Sequence, residues 1–113
     1  MATIKSYTNL EQSKKLAEIL PIENADMCYI NGDSGKISIV EWGNNVHDED
    51  DLPCWSLASL LGVLPEIQGC KPIIALDDNY ITYPHMSDLH TKACNLVDAC
   101  VAMIERLHEL KML

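Results

Sequence analysis

A thiol at Cys54 and an imidazole at His47 stand seven positions apart, with the acidic run Asp48, Glu49, Asp50 and Asp51 between them. A cysteine nucleophile needs a lowered pKa and a neighbouring base. His47 could be that base, and a place for Cys54 in the first turn of a helix would favour thiolate through the helix dipole. The acidic run works against this, because its negative charges disfavour one more. The same run could hold a hard cation, yet it lacks the alternating DxDxDG order of a calcium loop, and consecutive carboxylates cannot all point at one ion. A solvated, self-repelling loop is the simpler expectation.

His85, His90 and Cys94 form a second group, spaced as H-x4-H-x3-C. A transition metal could use these ligands if a fourth came from the acidic loop, but the spacing matches no paired zinc ligand set. A polar loop followed by a buried thiol is expected instead. His108 falls on the polar arc of the final helix, near an end where a cation is favourable, and reads as a surface side chain. No nucleophile elbow, phosphate loop, dinucleotide fingerprint or HExxH motif is present. No catalytic, cofactor-binding or metal-ligating residue is therefore assigned, and no cofactor is expected.

Side chains are only as useful as the elements that position them. Thr8 and Glu11 stand at capping-box spacing and predict a first helix that stops before Pro21. The segments ADMCYI (Ala25–Ile30) and KISIVEW (Lys36–Trp42) flank NGDSG, a β-hairpin signature. A second helix is expected with Asp51 as its cap and Pro53 in its first turn, running to Pro65 with Leu57, Leu60, Leu61 and Leu64 on one face. After a turn-like stretch from Glu66 to Pro72, PIIAL and NYITY predict a second hairpin that breaks at Asp77 and Asp78, with Pro84 closing it. The last helix is expected to start at Asn95 as N-cap, with Thr91 as an alternative, and to run towards Leu113.

That last helix has an unusually broad apolar arc. At about 100° per residue, Leu96, Val97, Ala99, Cys100, Val101, Met103, Ile104, Leu107 and Leu110 span roughly 200°, twice the stripe of an ordinary surface helix. The predicted architecture is one α+β domain over residues 1–113, with two β-hairpins in one antiparallel sheet packed by three helices in the order α-β-β-α-β-β-α. Leu57, Leu60, Leu61, Ile104 and Leu107 should centre its core. The fragments LAEILPIE and LASLLGVLPEI hint at a degenerate repeat.

Composition narrows the function classes. The chain has 113 residues, 48% hydrophobic and 22% charged, which is globular composition for a single domain. Its net charge of −9 argues against direct binding to nucleic acid or to an anionic membrane and allows a basic protein partner. Five cysteines without a CxxC pair read as reduced, mostly buried thiols. No apolar run is long enough to span a bilayer, and MATIKSYTNLEQSKK has no signal-peptide core, so a cytoplasmic setting is expected.

Two stretches, WSLASLLGVLP (Trp55–Pro65) and NLVDACVAMIERLHELKML (Asn95–Leu113), resemble a family of small uncharacterised proteins associated with gut-bacterial prophages and mobile elements. The resemblance implies a bacterial cytoplasmic setting and an accessory role, and it carries no catalytic residue with it. The expected function is non-enzymatic protein association, as a homodimer through a strip of the C-terminal helix near Ala99, Met103 and Leu110. The alternatives are a small thiol- or metal-dependent hydrolase using Cys54 and His47, and an acidic decoy that mimics nucleic acid.

Overall fold

A computed structural model of the chain describes residues 6–31, 37–42, 52–84 and 86–113. It is a small α+β fold whose elements run α1 (Leu10–Ile19), β1 (Met27–Asn31), β2 (Ile37–Trp42), β3 (Leu52–Cys54), α2 (Leu57–Val63), β4 (Ile73–Ala75), β5 (Tyr80–Tyr83), β6 (Met86–Lys92) and α3 (Leu96–Glu109). Both expected hairpins form. Among the described residues they lie in two sheets, and each gains a third strand that periodicity does not show. The sheets have strand orders β2-β1-β3 and β4-β5-β6, so the element order is α-β-β-β-α-β-β-β-α.

β3 was hidden by Pro53. A proline ahead of a leucine-rich run reads as a helix start, but here it lies opposite Cys28 on an edge strand, where its missing N–H breaks no ladder. Cys54 is consequently a strand residue and not a first-turn helical one. The true cap of α2 is Ser56, whose Oγ accepts from the Ser59 N–H at 3.2 Å. β6 was hidden by its composition, since MSDLHTK offers Leu89 as its one deeply buried apolar side chain. Thr91 belongs to this strand. Asn95 then caps α3 as expected, its Oδ1 accepting the Asp98 N–H at 2.8 Å.

The box at α1 is shifted by one residue. Asn9 is the cap, accepting from the Gln12 N–H at 2.8 Å, while the Gln12 side chain accepts the Asn9 N–H at 3.1 Å. Thr8 lies just outside the helix and is fully buried. Between α2 and β4, Ile67 and Cys70 exchange backbone hydrogen bonds around Gln68 and Gly69, whose φ angles of 54° and 77° make a tight turn in which glycine at the second position is unstrained.

The broad arc of α3 is covered within the chain. Leu96, Val97, Ala99, Cys100, Val101, Met103, Ile104 and Leu107 are all buried, in a core that also takes Leu16 from α1 and Leu20 just after it, Leu60 from α2 and Leu64 just after it, and Ile81, Tyr83 and Leu89 from the second sheet. The strip expected to mediate dimerisation is therefore not available at Ala99 and Met103, and Leu110 and Leu113 are what remains exposed. Leu60, Ile104 and Leu107 are central to the core as expected, whereas Leu57 and Leu61 are half-buried at its margin. After α3 the chain turns back through Lys111 at φ 59°, with the Met112 N–H on the Leu107 carbonyl at 2.8 Å and the Lys111 N–H on the His108 carbonyl at 3.0 Å. This is a Schellman closure, and it returns Met112 to the core.

Candidate functional site: a buried thiol and an open trough

Cys54 sits at the end of β3, beneath the segment that leads into α1. Residues 6–8 pair antiparallel with residues 55–57, through Thr8 N–H to the Trp55 carbonyl at 3.0 Å and Leu57 N–H to the Ser6 carbonyl at 2.9 Å. This lays Thr8 across the thiol. Its Oγ1 lies 2.8 Å from Ser13 Oγ and 3.6 Å from Cys54 Sγ, and it accepts the Trp55 N–H at 3.2 Å. The Thr8 carbonyl accepts from the Tyr29 hydroxyl at 2.7 Å and from Cys54 Sγ at 3.5 Å. Every group in this nest has a partner, and Cys54 is fully buried.

The electrostatics of the nest hold the thiol protonated. Burial raises the Cys54 pKa, and the hydrogen bonds from Thr8, Ser13 and Tyr29 that work the other way do not overcome it. Burial likewise pushes the Tyr29 phenol well above its ordinary value and the Cys100 thiol up to about 12. A nucleophilic thiolate requires the opposite setting. Beside the nest, the Asp26 carboxylate accepts both the Ser56 N–H, at 2.9 Å, and the Ser56 hydroxyl. Burial raises its pKa, but these bonds prevail and leave it below the usual aspartate value. Trp55 adds a fully buried indole whose Nε1 has no hydrogen-bond partner among the described residues.

The histidines and cysteines named from sequence do not gather on one described site. His90 is exposed on β6 and stacks on Tyr80, with ring centroids 5.8 Å apart. Cys94 is exposed immediately before α3, contrary to the buried thiol expected there, while Cys28, Cys54 and Cys100 are buried and all five cysteines are free. His47, the acidic run to Asp51, and His85 lie outside the described residues. Among the described residues, no three metal-ligating side chains are grouped to hold an ion.

What the fold does present is a trough between α1 and α3. The two helices lie side by side and run parallel, as shown by the Gln12 Nε2 bond to Asp98 Oδ1 at 2.8 Å near both N-termini and by the nearness of Ile19 to His108 further along. One end of the trough encloses about 290 Å³ and is lined by Asn9, Glu11, Gln12, Lys15, Asp98 and Glu105, above Val101 and Ala102. Its continuation encloses about 460 Å³ between Lys15, Glu18 and Ile19 on one side and Glu105, His108 and Glu109 on the other. Among the described residues, the lining carries the carboxylates of Glu11, Glu18, Asp98, Glu105 and Glu109 against a single lysine, Lys15. Arg106 pairs with Glu109 at 3.7 Å, but both are well exposed and the pair offsets little of this charge. Sequence periodicity places His108, Glu105 and Glu109 on a polar arc; it does not show that α1 lies parallel beside that arc.

The chain matches no known protein-family model, no curated protein and no solved structure. No helix among the described residues is long and apolar enough to cross a membrane.

Proposed function

We propose that this protein works without chemistry of its own, as an accessory protein that associates with another protein through the α1–α3 trough, and that the segment it takes is basic. The observation that carries this reading is the lining of the trough, five carboxylates facing one lysine around Ile19, Val101 and Ala102. A helix or extended segment bearing Lys or Arg would meet complementary charge along the walls and some apolar contact on the floor. The net charge of −9 extends the attraction to longer range, favouring fast encounter at low salt. Acidic mimicry of nucleic acid is one case of the same reading, since carboxylates carried on two adjacent helices are what such a decoy needs. The thiol-hydrolase alternative is disfavoured by the position of Cys54, buried and held protonated.

The test is titration of a fluorescent amphipathic Lys/Leu helical peptide against the full chain. Saturable binding is expected, weakening as salt is raised and lost in the double variant Glu18→Lys, Glu105→Lys. Binding that ignores both salt and the double variant would refute the trough as the docking face. Thiol labelling provides a separate check on the enzymatic alternative: Cys94 should react first and Cys54 only as the protein unfolds, and fast labelling of Cys54 would revive that alternative.

A further inference from the structure

We infer that the open edge of β4 is a self-complementary surface on which a second copy of this chain pairs antiparallel, joining the two β4-β5-β6 sheets across a two-fold axis. Three features of β4, independent of the trough, fit it for this: the direction of its backbone groups, the side chains it exposes, and the charges at its two ends.

The ladder fixes the direction. Asn79 lies opposite Ala93, continuing the register that pairs Tyr80 with Lys92, and its carbonyl accepts the Ala93 N–H at 3.3 Å. In an antiparallel pair, hydrogen-bonded and non-bonded positions alternate. Ile81 therefore bonds towards β6, while Tyr80 and Thr82 turn their backbone groups towards β4. Their partners there are Ala75 and Ile73. Ile74 must then point its N–H and C=O away from β5, to the edge that no described strand covers.

Centring one copy's β4 on the other's at Ile74 gives a symmetric register. The two Ile74 residues exchange a pair of hydrogen bonds, and each Leu76 N–H meets the Pro72 carbonyl of the second copy. Pro72 has no N–H to give, so the pairing is short and its side chains must contribute. Ile73 is 55% exposed and Leu76 70% exposed, the two most exposed large apolar residues described. In this register Ile73 falls opposite Ala75 of the second copy, on the outer face of the joined sheet, and Leu76 falls beside Pro72.

The ends supply the selectivity. Lys71 precedes β4, and Asp77 and Asp78 follow it in the turn; all three are exposed. Antiparallel pairing brings Lys71 of each copy to the acidic turn of the other, at both ends of the contact. A parallel arrangement would set like charges against like. Opposite charges across strands favour a pair and like charges oppose it, so the sequence around β4 specifies both the occupant and its direction.

Light scattering over a concentration series tests this. Wild type should move from the chain mass of 12.6 kDa to twice that value as concentration rises. Lys71→Glu alone, and Asp77→Lys with Asp78→Lys alone, should each weaken association by about tenfold, because each places like charges at both ends. Mixing the two variants should restore it, since a mixed dimer has opposite charges at both ends. Circular dichroism on each variant checks that the fold is intact. A wild type that stays monomeric throughout the series would overturn the inference, as would a dimer whose affinity ignores the substitutions or fails to recover on mixing. Binding of the Lys/Leu peptide to the trough is separate and should be unaffected by either change at the β4 edge.

Discussion

Among the described residues each sheet has three antiparallel strands, centred on β1 in one and β5 in the other, but what lies beneath them differs in kind. The second sheet sends Ile81, Tyr83 and Leu89 into the large core shared with all three helices. The first contributes Met27, Tyr29 and Cys54 to a small separate cluster with Leu10 and Leu52. It is joined to the rest by directional bonds, with Thr8 at the centre of one network and Asp26 and Ser56 forming another. Apolar contact tolerates small shifts in position, whereas a hydrogen bond made at the wrong distance is lost and its groups stay desolvated. The two halves of the molecule should therefore fail in different ways when altered.

The largest effect is expected in the shared core. Replacing Leu60 or Ile104 with alanine removes a fully buried side chain and should destabilise the protein by about 2–5 kcal/mol, through lost burial and the cavity left behind. Denaturant melts measure it, and a loss under about 1 kcal/mol would show that the core is not organised around α2 and α3. Next is Thr8→Val, which keeps the volume but leaves the Trp55 N–H and the Ser13 hydroxyl without their partner. About 1–3 kcal/mol is expected, with amide exchange accelerated in β1 and β3 while β5 stays protected. Equal acceleration in both sheets would erase the distinction drawn between them.

A smaller effect is expected at Gln12, whose amide serves two caps at once, accepting from the Asn9 N–H and donating to Asp98. Gln12→Glu keeps the acceptor, loses the donor, and sets two carboxylates against each other. A loss of about 1 kcal/mol is expected at neutral pH, recovering as acid neutralises the pair, and a melt insensitive to this change would remove the bond from the account.

The smallest effect is the pH dependence from Asp26. Its pKa is lowered in the folded state, so its contribution is complete above the ordinary aspartate value of about 3.9 and is lost as pH falls through the lower folded value. Wild type should show an acid-linked loss in that window that Asp26→Asn lacks; identical acid profiles would count against the Ser56 contact.

Much of the helical half was legible in advance. Leu60 and Leu64, Ile104 and Leu107, and the Asn95 cap all follow from period and capping chemistry. The first sheet and its nest were not, because they depend on long-range pairing that local pattern does not encode. Pro53 mimics a helix start and is an edge-strand residue only because β1 lies beside it. Thr8 looks like a cap until the Trp55 N–H, 47 positions away, claims its hydroxyl oxygen. The broad apolar arc of α3 is legible in its period, but its cover is not, since burying it takes a second sheet completed by β6. The trough was invisible for a related reason: nothing in either helix announces that they run parallel.

The amide of Gln12 and the carboxylate of Asp98 are 86 residues apart in the chain. α1 has 10 residues, fewer than an isolated helix needs for stability in water, so it depends on neighbours, among them β3 and α3, that follow it far along the chain. Its order is thus tied to late, non-local closure of the chain, a search slowed by loop entropy. A spectroscopic probe on the exposed side of α1 would therefore time this late closure, although α1 precedes every other helix and strand described.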